Sequence, residues 1–175
     1  MCSSDLDYGE AVRAYRRVLA RNPDTALAHA SLAIALASQG QLVLAETHAR
    51  RAVALDPRDA ESWSNLGGIR ARRGDLAGAI ENYERALELR PGLASAHNNL
   101  GVALRTRGEL SGARKHFEEA IARAPQFAEA HANLGDLLAA TGDLAGGERH
   151  LTRALALAPN LKAARAALAR LRDER

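Results

Sequence analysis

The sequence predicts an all-α fold, a solenoid of antiparallel helix hairpins stacked one after another. Three observations carry this. All five prolines, Pro23, Pro57, Pro91, Pro125 and Pro159, are spaced by 34 residues. Leu32, Leu66, Leu100, Leu134 and Leu168 keep the same step, as do Gly40, Gly74, Gly108 and Gly142. A fixed period of this length marks a repeat array in which each unit packs only on its neighbours. Within each period, the glycine separates two runs whose apolar residues recur at spacings of three and four, the pattern of an amphipathic helix. A short connection between two such helices makes them antiparallel neighbours.

The opening hexapeptide, Met-Cys-Ser-Ser-Asp-Leu, breaks the phase: Leu6 stands where the loop glycine belongs. Read from a GTG start codon, the end of a widely used short-read adapter translates to these residues, so 1–6 are expected to be non-native. Residues 7–25 then read as the second helix of a truncated repeat. Tyr8, Ala11, Val12, Tyr15, Val18 and Leu19 form one apolar stripe, with Asp7 as a plausible N-cap and Pro23 as the stop. An unpartnered face on this helix predicts self-association.

Four full units follow, 26–59, 60–93, 94–127 and 128–161. In the third, the first helix carries Ala96, Leu100, Ala103 and Leu104, and the second carries Leu110, Ala113, Phe117, Ala120 and Ile121. Gly108 suits a left-handed helix end. Gln41, Asp75, Glu109 and Asp143 follow the four glycines, and Asp is the best N-cap among them. Small residues recur at two phases, Ala33, Gly67, Gly101 and Gly135 on first helices and Ala45, Ala79, Ala113 and Gly147 on second helices, which predicts close helix approach. The adjacent Gly146 and Gly147 predict the least stable helix, since glycine inside a helix costs about 1 kcal/mol against alanine. Residues 162–175 read as a C-terminal capping helix with a polar outer face.

Composition narrows the function. Hydrophobic residues make up 47% of the chain, which argues against disorder, and aromatics only 3%, so Ala and Leu must build the interior. The formal charge of +3 is spread with acids and bases interleaved, which argues against nucleic-acid binding. Cys2 is the only cysteine, so neither an internal disulfide nor a cysteine metal site is expected. The uncharged stretch from Thr25 to Ala45 is interrupted by His29, Ser31, Ser38, Gln39, Gly40 and Gln41, so membrane insertion is not expected. No signal-peptide pattern opens the chain, and the cytoplasm is the expected compartment. His29, His97 and His131 share one phase, and His48, His116 and His150 share another. Residues one repeat apart cannot converge on one ion, so both rows read as packing residues and no metal is expected. No phosphate loop, nucleophile elbow or HExxH motif is present, so no enzyme and no cofactor are expected.

Trp63, Leu66-Gly67, Ala79, Tyr83, Ala86 and Pro91 in one unit, and His97, Leu100-Gly101, Ala113, Phe117, Ala120 and Pro125 in the next, resemble the tetratricopeptide repeat pattern. The departures are His for Trp at 29, 97 and 131, Ala49 and Leu151 for the aromatic, and Arg70 for a usual Tyr or Leu. The resemblance implies a right-handed superhelix whose first helices line a concave groove that binds an extended peptide or a partner's helix. It further implies that Ser31, Asn65, Asn99 and Asn133 face that groove, with Asn98 as a further amide. Arg72, Arg105 and Asp136, with Glu61 and Glu129, would supply charge of both signs. The asparagine row is similar to the ladder in the repeat region of O-linked N-acetylglucosamine transferases. The basic clamp of chaperone-binding relatives is not matched, since its phases hold Ala30 and Ile34, then Ser64 and Gly68. The expected function is a protein- or peptide-binding scaffold. The alternatives are the arm of a larger, glycosyltransferase-like enzyme and an assembly factor of a membrane complex.

Overall fold

The computed structural model describes residues 8–173, so the hexapeptide and Asp7 lie outside the described residues. Among the described residues there are ten α-helices and no strand. The chain divides into two compact units, one ending at Pro91 and the other beginning at Gly92.

The first unit holds α1 (Tyr8–Arg21), α2 (Ala26–Ser38), α3 (Leu42–Leu55), α4 (Ala60–Arg72) and α5 (Leu76–Leu89). Each helix packs on the next in the chain, and α2 also touches α4. The core gathers Val12, Leu32, Leu36, Val53, Leu66 and Ile69, with Ala11, Tyr15, Leu19 and Trp63 against its edge. The expected stripe of α1 is therefore only partly used, because Tyr8 and Val18 are exposed.

The second unit holds α6 (Ala94–Arg107), α7 (Leu110–Arg123), α8 (Ala128–Ala140), α9 (Leu144–Leu157) and α10 (Lys162–Asp173). Again each helix packs on the next, and α8 touches both α6 and α10. Helix α7 buries Ala113, Phe117 and Ala120, while Leu110, in its first turn, is exposed rather than part of the core. Ala164, Ala167, Leu168 and Leu171 of α10 pack in one cluster with Ala132, Leu151 and Ala154. Leu100 is 2% exposed. Leu100→Ala is expected to cost about 2–5 kcal/mol, read as a shift in a urea melt followed by circular dichroism.

The turn inside each full hairpin is made by glycine. Gly40, Gly74, Gly108 and Gly142 have φ between 78° and 95°, where a side chain is strained. The next residue caps the second helix where it is aspartate: Asp75 accepts from Gly78 N–H at 3.0 Å and Asp143 from Gly146 N–H at 2.8 Å. Gln41 and Glu109, with longer side chains, make no such bond. A Cβ on Gly146 would collide with the Asp143 carboxylate, so this glycine makes room for the cap.

The small columns seat the hairpins. A Cβ on Gly67 would lie 2.7 Å from the Tyr83 ring, and one on Gly101 would lie 2.6 Å from the Phe117 ring. At Gly135 it would meet the Leu151 backbone nitrogen at 2.9 Å and the Gly147 carbonyl at 3.0 Å. Each glycine of the Gly146-Gly147 pair in α9 thus has a local packing reason. Where the first-helix residue is Ala33, the partner phase holds Ala49.

Candidate functional site

Each first helix of a full hairpin has one stripe that neighbouring helices leave open. Four residues spaced by four, three and four fall on one line of a helix. These are Leu27, Ser31, Ile34 and Ser38 on α2, and Glu61, Asn65, Gly68 and Arg72 on α4. On α6 they are Ser95, Asn99, Val102 and Thr106, and on α8 Glu129, Asn133, Asp136 and Ala140. None of these residues is buried, whereas most residues between them are. First helices touch one another within each unit, and the second helices α3 and α5, or α7 and α9, do not. The open stripes therefore lie side by side on the inner side of each unit.

Several of the expected site residues are engaged with each other. Asn98 is 7% exposed and accepts from Asn133 Nδ2 at 2.9 Å. It holds Asn133 in place and does not itself line the open face. Asp136 receives Arg105 at 3.0 Å on one oxygen and Arg170 at 2.8 Å on the other, so α6, α8 and α10 are tied across their inner side. Ser31, Asn65, Asn99 and Arg72 have no side-chain partner among the described residues.

Sequence reasoning missed the pairing of the two histidine rows. His29, His97 and His131 each meet the histidine 19 residues on, His48, His116 and His150, with Nδ1–Nδ1 distances of 2.9, 3.0 and 3.0 Å. Ring centroids are 5.1–5.3 Å apart and the planes are inclined by 29°. The centroid separations exceed the nitrogen distances by about one ring width, so the rings meet edge to edge along the hydrogen bond. In that arrangement each Nδ1 is aimed at the other, as a hydrogen bond requires, and not at a common third point, as two ligands of one ion would be.

The far side of the first ring fixes the protons. His29 Nε2 lies 2.9 Å from the Pro23 carbonyl, and His131 Nε2 lies 3.2 Å from that of Pro125. A carbonyl only accepts, so Nε2–H donates, and in the neutral ring Nδ1 is left as an acceptor. His48 and His150 must then donate from Nδ1–H. Trp63 Nε1–H reaches the Pro57 carbonyl at 3.0 Å, and Arg165 reaches that of Pro159 at 2.8 Å. The column selects a side-chain N–H over the turn, which is why His replaces Trp without loss of the contact. The signal was readable: every unit with His at the first phase has His at the second, and Trp63 goes with Asn82.

A second network stands where the sequence departs from its own pattern. Glu46 on α3 is 2% exposed and binds Arg50 at 2.6 Å, Arg70 at 3.3 Å and Arg73. Arg70 also donates to the Gly78 carbonyl at 3.4 Å. The same two phases meet again at Glu148 and Arg172, 4.0 Å apart.

A family profile described as tetratricopeptide repeat matches residues 58–126, and a second profile of that description matches 6–60 and 98–162. The chain belongs to the tetratricopeptide repeat family. Among solved structures it is similar to MamA, with 26% identity over 86% of this chain and 88% of that one, at a TM-score of 0.74. It is similar in fold to TTC0263, a thermophilic tetratricopeptide protein of Thermus thermophilus, with 24% identity, 94% and 90% coverage and a TM-score of 0.79. It is also similar in fold to YrrB, described as a tetratricopeptide protein with an unusual peptide-binding site, with 21% identity, 94% and 85% coverage and a TM-score of 0.70. No curated protein matches. Among the described residues, no helix is long and apolar enough to cross a membrane, and no group of three metal-binding side chains converges.

The histidine pairs are expected to make the stability of this tetratricopeptide array depend on pH. Burial pushes His48, His116 and His150 below the usual histidine value, and the facing ring adds to the shift. Arg16, Lys115 and Arg149 act in the same direction, against Glu119 at His116 and against Glu118 and Asp143 at His150. A base whose pKa is lower folded than unfolded binds more protons in the unfolded chain. Its contribution is present above the unfolded value of about 6.5 and is lost as pH falls through the folded one. The melting temperature is expected to be level well above the unfolded value of about 6.5 and to fall as the pH drops below it. Replacing His48, His116 and His150 by Asn, the residue at 82, should flatten that slope.

Proposed function

We propose that this tetratricopeptide array is a non-catalytic scaffold that binds an extended peptide or a partner's helix along the open stripes of its first helices. The observation that carries this is the state of those stripes: solvent-facing, side by side in each unit, with Asn65 and Asn99 unpartnered among the described residues. An amide offers both a donor and an acceptor, so it can pair with a peptide backbone of any sequence. The likeness to YrrB supports the reading, since a protein of this fold carries a peptide-binding site. The asparagine row, which resembles the ladder in the repeat region of O-linked N-acetylglucosamine transferases, would act in the same way.

The test is calorimetric titration of a bound peptide against the protein and its Asn65→Ala and Asn99→Ala variants, with a melt of each. Each lost bond should weaken binding by about 0.5–1.5 kcal/mol. Neither change should lower stability, because both residues are accessible and Ala is the better helix former. Asn133→Ala differs. It leaves the buried Asn98 carbonyl oxygen without its donor and should cost about 1–3 kcal/mol of stability besides any loss of binding. Unchanged affinity in the first two variants would move the binding surface elsewhere.

A further inference from the structure

We propose that the open face of the first unit selects a segment carrying bulky aliphatic side chains beside a carboxylate. The proposal rests on the groove reading above and gives it a ligand class. It comes from what separates α2 and α4 from the other first helices.

Helix α2 contains no charged residue, and its open stripe presents Leu27 and Ile34, which are 76% and 47% exposed. At the same phases α8 carries Glu129 and Asp136. Leu27 and Ile34 are seven residues apart, two helical turns or about 10.5 Å, close to the roughly 9 Å between residues i and i+3 of a polyproline II segment, which share one face. Two aliphatic side chains of a ligand at that spacing can lie against both.

The neighbouring α4 supplies the polar half. Gly68 holds the phase of Ile34. Unlike Gly67 it is not required by packing, since a Cβ there would meet only the Tyr83 hydroxyl, at an ordinary 3.7 Å. A glycine inside a helix with no close neighbour costs about 1 kcal/mol without compensation from the fold, and it leaves a gap for close approach. The Tyr83 hydroxyl forms the floor of that gap and has no hydrogen-bond partner among the described residues, although the ring itself is buried. One turn along the stripe, Arg72 carries a cation with no carboxylate. Its neighbours Arg70 and Arg73 are bound to Glu46, and Arg90 is bound to Glu61 at 2.7 Å. In the second unit Arg105 and Arg170 are likewise consumed by Asp136. On the open face of α2 and α4 the groups left without partners among the described residues are thus a guanidinium, a phenol O–H, an amide at Asn65 and two aliphatic side chains. A carboxylate next to Leu-, Ile- or Val-like residues satisfies all of them.

The experiment selects random twelve-residue peptides displayed on phage against the full chain, then measures the enriched sequences as synthetic peptides by fluorescence anisotropy. Enriched peptides are expected to pair Asp or Glu with aliphatic residues. They are expected to bind about tenfold more weakly, a loss of about 1.4 kcal/mol, to Arg72→Glu, to Leu27→Ser with Ile34→Ser, and to Gly68→Leu. Arg72→Glu and the serine pair should melt close to the parent, because the changed positions are on the open face, and Gly68→Leu should melt at or above it, because it replaces an uncompensated helix glycine. Selection against Arg72→Glu should turn towards Lys and Arg. Peptides that lose affinity with Asn65→Ala but not with Arg72→Glu overturn the ligand class and leave the groove reading standing. No enrichment, or binding that no open-face variant alters, overturns both. Sedimentation that shows a dimer dissociated by Leu27→Ser with Ile34→Ser overturns the ligand class as well, because the occupant is then a second copy.

Discussion

Gly101→Leu is expected to destabilise the protein by about 3 kcal/mol or slightly more, the upper part of the range for overpacking. The added side chain would enter at the face of Phe117, whose ring is fully buried and already 2.6 Å from the position of a Cβ. The smaller change tests the cause. Gly101→Ala places one methyl against the ring, and Phe117→Ala alone leaves a cavity costing about 3–5 kcal/mol. The double variant rebuilds the pair that Ala33 and Ala49 form at the same phases. It should be less destabilised than the sum of its parts, with a coupling of about 0.5–3 kcal/mol. Urea melts followed by circular dichroism measure all four corners. Additive losses would show that the two columns do not share one space.

Glu46→Ala is expected to cost about 3–5 kcal/mol, because it removes the carboxylate from a buried network and strands the cations around it. Arg50 and Arg73 can turn to water, but Arg70 has 19% of its side chain exposed, is held between α3 and α5, and would keep only the more distant Asp75 carboxylate at 3.8 Å. Removing both charges has the opposite outcome. Glu46→Ile with Arg70→Leu installs the residues found at these phases at Ile80 and Leu104. Replacing a buried pair by well-packed apolar residues is neutral or stabilises by about 1–4 kcal/mol. A double variant as unstable as Glu46→Ala would mean that the network is needed for packing and not merely tolerated.

Much of this was legible because the period makes each phase appear several times. The glycine turns, the aspartate caps and the buried leucine column each need one residue type at one place, and a column of identical residues reports that need. The pairings were less legible. Whether Asn98 faces the open side or Asn133, and whether Asp136 waits for a ligand or binds Arg105 and Arg170, depends on how neighbouring helices are rotated. Helical spacing within one segment does not carry that information. Comparing columns would have recovered part of it. His29 goes with His48 and Trp63 with Asn82, and Ala33 goes with Ala49 and Gly101 with Phe117, so each pair of columns changes together. Arg70 reads as a flaw in the pattern until Glu46 is placed beside it. Tyr8, Val18 and Leu110 read as core by periodicity and are exposed, since periodicity names a face but not whether a neighbour covers it.

Binding on the open stripes of the first helices is tested most directly by photocrosslinking. A benzoylphenylalanine placed at Asn65, on the open stripe of α4, or at Glu84, exposed on α5, is irradiated with a selected peptide and the adduct is located by mass spectrometry. The expected result is an adduct from position 65 and none from position 84. An adduct from position 84 alone would contradict the assignment and place the partner on the second helices.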